Sequence, residues 1–563
     1  MGGTVSKIRF VVQLIKSSID EYDDLSNRIA NSPGIPKLSS TSHNPPPPYW
    51  TVPASPIARE GETEALPHEG VDIVIIGSGI TGTSIAKVLL EHTKEDSIDA
   101  VERGEKSRNR EIRVVMLEAR DACSGSTGRN GGHIGPVIYN EYGELKSAYG
   151  SSLANEVLRF RLAHVPSLIS TAKAEGLLST SQAREVESFD VYGHSGRFFQ
   201  AKEELHAFVT EAAPDITKGF GVVEERREIE ALQLASSTFG CISKPGGAIH
   251  PYRFVTGLLS NLLQRYSNFQ LFTHTPCVGV VSTPTGYVVR TPRGDIRTAH
   301  VIHATNAWSS HLLPGMRGKI IPTRATMTAQ RSGKGLSTSW AGNRAFVFYP
   351  VEDTSSFEYL TQLLPSPLPS DGQTNIGDPL PTEAEFMFGG RVQPSFTNNI
   401  GIADDRVSIF ENEAHLGGAL ERFFAGHWGA EGSEDGSSNK NGAASGKGRI
   451  RAAWSGLLGM SADLQPWVGR VPHAASGRKE PVFSPHSEKA RSVLAHSGEW
   501  ICAGYTGEGM VHAWLSGQAL GRMVLGLPAD VSRSAEEPRV PQPFLITEKR
   551  LKETHYEDTI GQW

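Results

Sequence analysis

Val71-Asp-Ile-Val-Ile-Ile-Gly-Ser-Gly-Ile-Thr-Gly82 decides how this chain is read. Val71 to Ile76 is apolar apart from Asp72 and rich in β-branched side chains. That is the pattern of a strand buried on both faces of a parallel sheet. Ile80 to Glu91 then reads as a helix. Gly77, Gly79 and Gly82 fall between and into these elements at G-x-G-x-x-G spacing, with Thr81 inside the motif. Gly77 permits a tight turn, Gly79 lets backbone approach a pyrophosphate, and Gly82 lets helix and strand pack closely. The helix N-terminus offers N–H groups and partial positive charge to phosphates. A glycine triplet alone is weak evidence; its strand–helix setting makes it a dinucleotide site.

Arg113 to Glu118 is the next strand. Glu118 ends it, where a carboxylate accepts hydrogen bonds from ribose hydroxyls. The gap from Gly82 is 118 − 82 = 36 residues, against about 20 in the usual pattern. The charge-dense stretch 93–112 accounts for the excess and is expected to be a solvated inserted loop. The segment after Glu118, Ala119-Arg-Asp-Ala-Cys-Ser-Gly-Ser-Thr-Gly-Arg-Asn-Gly-Gly-His-Ile134, is built of small residues. Small residues let backbone pass over a flavin, while Arg129 and Asn130 can hold phosphate or ring atoms. An NAD(P) dehydrogenase would explain the first motif but not this segment.

The remaining chain bounds the answer. At 563 residues it exceeds a single small domain. A net charge of −6 gives no basic footprint for nucleic acid. The 4 cysteines, Cys123, Cys241, Cys277 and Cys502, form no metal or redox spacing and read as small buried hydrophobes, as in a reducing compartment. The proline-rich residues 1–70 read as a surface-lying arm. Their start, Met1-Gly-Gly-Thr-Val-Ser6, fits the N-myristoylation pattern at Gly2, and a single acyl chain supports only weak membrane association of a cytoplasmic protein. Residues 352–385 read as a loop, 429–448 as a disordered low-complexity insertion, and 528–563 as a polar tail. A strand and turn are expected at 286–294 and a strand at 299–304. A late strand at Trp500 to Gly504 feeds a helix from Met510 to Leu525.

The ordered motifs resemble the D-amino-acid-oxidase-type FAD-dependent oxidoreductases, the group containing glycine oxidase, monomeric sarcosine oxidase and γ-glutamylputrescine oxidase. Beyond the first three segments they include His250-Pro-Tyr-Arg, His303-Ala-Thr-Asn-Ala-Trp308, Phe388-Gly-Gly-Arg391, Trp454-Ser-Gly-Leu-Leu-Gly and Gly504-Tyr-Thr-Gly-Glu-Gly-Met510. Together they span about 71–527. The resemblance implies an α/β fold: a Rossmann-like FAD-binding domain with a discontinuous α+β substrate domain containing an antiparallel sheet. The expected division is FAD-binding at 71–150, 245–314 and 451–527, and substrate-binding at 151–244 and 315–450. It implies that Gly77, Gly79 and Gly82 contact the pyrophosphate and Glu118 the adenosine ribose. Ser126, Arg129, Asn130, Gly131 and Gly132 would lie along the flavin. Val278 would meet adenine through its backbone, and Ala304 to Asn306 would close over the cofactor. Gly507, Glu508, Gly509 and Met510 would sit at the pyrimidine edge, at the start of the last helix.

Two departures matter. The sarcosine-oxidase branch anchors its flavin through a cysteine, whereas Gly459-Met-Ser-Ala-Asp463 has none; His133 is the nearby residue that could form a covalent link. The lysine which that branch places over its flavin has no counterpart near Phe388-Gly-Gly-Arg391, which leaves oxygen or another molecule as the electron acceptor. The family chemistry moves a hydride from the carbon beside a neutral amine to flavin N5, and the imine then hydrolyses. Arg391 as a carboxylate clamp, Tyr349 on the Phe346 to Tyr349 run, and Trp454 beside the flavin are the candidate catalytic residues. No metal is implied. The substrate is a small amine or amino acid; the alternative is a catalytically silent or membrane-peripheral flavoprotein scaffold.

Overall fold

The computed structural model describes residues 20–31, 47–102, 112–333, 335–336, 340–350, 357–365, 384–391, 397–407, 409–429, 449–481, 494–527 and 539–559. Two sheets organise them. In the first, Val71–Ile76 is flanked by Gly294–His303 and Val114–Leu117, both parallel to it. Phe269–Phe272 extends the parallel set beyond Val114–Leu117, and Gly498–Ala503 extends it beyond Gly294–His303. Trp467–Arg470 closes that edge antiparallel, and the hairpin of Gly279–Thr283 with Gly286–Thr291 attaches to Gly294–His303. Ile73, Val74 and Ile75 are fully buried, as a strand covered on both faces requires. Helices Ile80–Glu102 and Ala513–Val524 pack against each other, with Gly517 and Gly521 allowing close approach to Ser84 and Val88.

The second sheet is mainly antiparallel. Its order runs Ile450–Ser461, Ile320–Gln330, Phe386–Arg391, Phe357–Gln362, Arg344–Tyr349, Arg184–Tyr192, Gly240–Ala248 and His133–Ile134, with Gly221–Val223 on the side of Gly240–Ala248. One pair, Arg344–Tyr349 with Arg184–Tyr192, is parallel. Phe346 and Phe348 point to a buried aromatic cluster with Trp340, Phe386 and Phe424. By the two-residue strand period, Val347 and Tyr349 point the other way, to the interior between the sheets. Strands Ile450–Ser461 and His133–Ile134 belong to this second sheet. They do so although residues 451–527 and 71–150 were expected in the cofactor domain.

Several expectations need correction. The helix beginning at Ile80 continues to Glu102 instead of giving way to a loop at 93. No glycine or proline interrupts the sequence before Gly104, and Lys, Glu and Ala favour helix on a solvated face. Residues 103–111 lie outside the described residues. The 352–385 loop contains the strand Phe357–Gln362, whose Leu360, Thr361 and Gln362 are buried; its other residues lie largely outside the described set. The 430–448 part of the low-complexity insertion, and Gly2 with the rest of 1–19, also lie outside it.

The described parts of the arm and the tail are packed. Trp50 is buried and its indole donates to the Asn130 carbonyl, while Ile29 packs on Ile321, Ile400 and Met460. In the tail, Phe544 is buried, Leu545 bridges to Val468, and Arg550 pairs with Asp463 at 2.7 Å. Proline and charge content hid these scattered apolar anchors. All 4 cysteines are buried and unpaired. Among the described residues, no helix is long and apolar enough to cross a membrane.

Candidate active site

A cavity of about 800 Å³ runs from the Gly77 turn to the inner face of the second sheet. That volume falls in the range of small-molecule and cofactor sites. Gly77, Gly79, Thr81 and Glu118 line one end. Gly77 has φ of +111°, and a Cβ there would lie 2.5 Å from the Ala304 carbonyl oxygen. At Gly82 a Cβ would lie 2.0 Å from the Gly77 carbonyl oxygen. Gly82 is thus outside the lining and acts by letting the helix start against the turn. Glu118 accepts hydrogen bonds from the Ser78 hydroxyl at 2.7 Å and from the Arg120 N–H at 3.0 Å. Ser78 also accepts the Cys123 N–H at 2.8 Å, joining the turn to the following loop.

The loop 119–134 forms the adjoining wall. Ser126, Arg129, Asn130 and Gly131 line the cavity. The Ser126 hydroxyl donates to the Leu457 carbonyl at 2.7 Å. Thr127 accepts the Ile80 N–H at 3.1 Å, fixing the first helical turn. Arg129 donates to the carbonyls of Ser124 and Ser455 at 2.9 and 2.8 Å and pairs with buried Asp405 at 3.3 Å. Burial pushes its guanidinium down to about 10. Arg120 engages the same carboxylate at 2.8 Å and lies over the Trp308 ring. Arg129 therefore braces the loop against Asp405 and two carbonyls. The Asn130 amide accepts the Gly132 N–H at 2.8 Å and donates to the Thr127 carbonyl at 3.2 Å. Gly132, with φ of +70°, turns the chain where a Cβ would meet the Ile249 carbonyl oxygen at 2.2 Å; it does not line the cavity.

Ala304 and Asn306 line the wall beside Gly77, and the Asn306 amide oxygen accepts the Gly504 N–H at 2.9 Å. Gly507, Glu508, Gly509 and Met510 also line the cavity. They precede the helix Ala513–Val524 instead of starting it, with Gly509–Val511 forming a short 3-10 turn before it. Tyr505 ties this turn to the first motif, accepting from Thr81 at 2.8 Å and donating to the Cys502 carbonyl at 3.0 Å.

Val278 and Trp454, both expected at the site, are not brought to the cavity. Val278 is 54 % exposed, and its N–H is taken by the Arg290 carbonyl; its neighbour Cys277 lines the cavity instead. Trp454 is buried with its indole donating to the Arg129 carbonyl at 2.8 Å, so it supports the loop from behind. The Arg391 side chain lies outside the described residues, while Gly390 beside it lines the cavity.

The far end sets Tyr349, His133 and Glu508, all expected at the site, among charged side chains that the sequence did not single out. Tyr349 stacks on Tyr192 with ring centres 5.2 Å apart, beneath the Arg197 guanidinium. Burial raises its phenol well above the ordinary range. Lys244 pairs with fully buried Asp190 at 2.8 Å, and Asp190 also accepts from Tyr139 at 2.9 Å. Arg161 pairs with Glu141 at 2.7 Å and donates to His512 Nε2 at 3.2 Å. His512 Nδ1 meets the Glu508 carbonyl at 3.0 Å, and burial holds the ring neutral. His133 lines the cavity between the ends; burial, then Lys244, pushes it down to about 3. Burial raises Glu508 to about 8, against the lowering effect of Arg161.

A glycine turn at the C-terminal edge of a parallel sheet, opening on a cavity that reaches a second sheet, defines a dinucleotide-dependent enzyme. The chain belongs to the FAD dependent oxidoreductase family, whose model matches residues 72–523. It is similar in fold to glycine oxidase from Geobacillus kaustophilus, at 16% identity and a TM-score of 0.54 over 85% of this chain and 98% of that one. It is also similar to L-proline dehydrogenase from P. horikoshii, at 17% identity and 0.52 over 82% and 94%. A third likeness is L-amino acid deaminase from Proteus myxofaciens, at 15% and 0.53 over 86% and 95%. At these identities the likeness is one of fold. No curated protein sequence matches the chain. The cavity's size and its glycine-cleared wall at Gly77 fit FAD.

Proposed function

We propose that this FAD-dependent oxidoreductase oxidises the C–N bond of a small amine or amino acid. The observation that carries the reading is the single cavity joining the Gly77 turn to the Tyr349 and Glu508 end. When bound, FAD supplies the two-electron acceptor for that oxidation. Gly77, Gly79 and Thr81 would hold the pyrophosphate at the start of the helix Ile80–Glu102, and Glu118 the ribose. Ser126 to Gly131 and Gly507 to Met510 would flank the ring system. The apolar ring stack of Tyr349 on Tyr192 excludes water from the reacting carbon and orients the substrate. A desolvated wall lowers the pKa of a bound amine, favouring the neutral form that can be oxidised. The imine product hydrolyses in water.

Anaerobic mixing of the holoenzyme with primary, secondary and N-methylated amines and both enantiomers of amino acids tests the reading. Bleaching of the flavin absorbance by at least one member is expected. A flavin that stays oxidised against the whole panel overturns it.

A further inference from the structure

The charges at the substrate end do not balance. Among the described residues, Arg161 pairs with Glu141 at 2.7 Å, Lys244 with Asp190 at 2.8 Å, and Arg197 with Glu204 at 3.4 Å, although Arg197 Nε has no hydrogen-bond partner. Two lining carboxylates are left over. Glu144 has no ion pair among the described residues. Glu508 reaches Arg161 Nη1 and His512 Nδ1 only at 4.0 Å, and its Oε2 is buried without a hydrogen-bond partner. Asn140, on the same helical turn as Glu141, adds a second buried acceptor, Oδ1, with no partner. Orphaned buried acceptors are costly in a folded protein and mark where a donor belongs.

Resting on the proposed C–N oxidation, we propose that the substrate enters as an ammonium ion, that Glu508 receives it, and that Glu508 then takes its proton. The groups facing Glu508 are Arg161 from helix Ser151–Leu162, Glu141 from Tyr139–Tyr149, Lys244 from Gly240–Ala248, Tyr349 from Arg344–Tyr349, and His512 on its own turn. With the cavity empty, burial keeps the Glu508 carboxyl largely neutral at pH 7. A cation arriving beside it restores the carboxylate, so binding releases one proton to solvent. The ammonium N–H bond then breaks as an O–H bond forms on Glu508, leaving a neutral amine ready for oxidation and a neutral acid. A general base with a pKa near the working pH suits this transfer. Substrates that enter as amines are therefore recognised through their ammonium group.

The test uses anaerobic holoenzyme at pH 7 with n-propyl- to n-hexylammonium and the matching alkanoates. Binding is read from the flavin spectrum before reduction, and proton release by calorimetry in two buffers of different ionisation enthalpy. We expect alkylammonium ions to bind with up to one proton released. Glu508→Gln is expected to weaken them about 10- to 100-fold, abolish proton release and leave alkanoate binding unchanged. Should Glu508→Gln fold poorly, Glu508→Asp is expected to keep proton release with weaker binding. Tighter binding of alkanoates, unchanged amine binding in Glu508→Gln, binding without proton release, or no binding by either series overturns the assignment. An amino acid that reduces the flavin while alkanoates displace it would remove Glu508 from this role and leave flavin-linked oxidation standing.

Discussion

Two carboxylates close in sequence, one buried and one half-buried, are treated in opposite ways. Glu499 lies in strand Gly498–Ala503 under the cofactor end. Two hydrogen bonds from Arg478, at 2.6 and 2.7 Å, and one contact with His303 at 2.9 Å hold it. These partners outweigh burial and pull its carboxyl down to about 2. Glu508 lines the substrate end with Oε2 unpartnered, and burial raises it to about 8. The first carboxylate is finished by its own protein; the second is left for something else. The two ends differ in emphasis: the cofactor end is shaped mainly by backbone, with Ser124 Oγ and His303 Nδ1 left unpartnered near it, and the substrate end presents an unpartnered carboxylate oxygen to the cavity.

The largest way to break this division is at the backbone. Gly82→Ala would set a Cβ 2.0 Å from the Gly77 carbonyl oxygen. A stability loss above about 4 kcal/mol and loss of flavin are expected, read by thermal unfolding and by flavin absorbance per chain. Retention of flavin at normal stability would mean that the turn does not need its glycine.

Glu499→Gln probes the satisfied carboxylate. Glu499 binds its proton less readily in the folded protein than in the unfolded chain. Its contribution is therefore full above about pH 4.5 and disappears as the pH falls through about 2. Removing the charge should lower stability at pH 7 by about 3 kcal/mol. The variant should also lose part of the wild-type's acid sensitivity in that window. Denaturant unfolding at pH 7 and pH 3 measures both.

Glu508→Gln has the opposite sign. Glu508 holds its proton more tightly when folded, so its contribution is full below about pH 4.5 and is lost as the pH rises through about 8. The variant's unfolding temperature should fall less than the wild type's between pH 5 and pH 8. Parallel curves would show that Glu508 is not held protonated. The smallest effect belongs to Val278→Ala. Its side chain is exposed, so stability should change by less than about 0.5 kcal/mol and flavin content should not change; a large flavin loss would restore Val278 to the site.

The cofactor end was legible because its constraints are backbone constraints, and glycines record them locally. Gly77, Gly79 and Gly82 show a turn within a dozen residues, and the loop after Glu118 shows another. The limits of that reading are instructive. Arg129 was read as a ligand-holding cation, and Asp405 claims it from far along the chain. Val278 was expected to meet adenine through its backbone; it lies just before strand Gly279–Thr283, outside the cavity lining, with its N–H bonded to the Arg290 carbonyl. The substrate end was not legible, because Arg161, Lys244, Arg197 and Glu508 come from separate elements with no spacing to link them. Only the alternation of Phe346 to Tyr349 hinted at it, and the pleat sends just Val347 and Tyr349 to the cavity. The buried anchors Trp50 and Phe544 were hidden for another reason: Trp50 follows Tyr49 at the end of a proline run, and Phe544 is a lone aromatic in a polar segment.

A single anaerobic turnover with a reducing amine reports on the chemistry itself. Flavin reduced is compared with carbonyl product and released amine or ammonium after quenching. The account predicts equal amounts of all three, as C–N oxidation followed by hydrolysis requires. Flavin reduction with no carbonyl formed and no amine or ammonium released would contradict it.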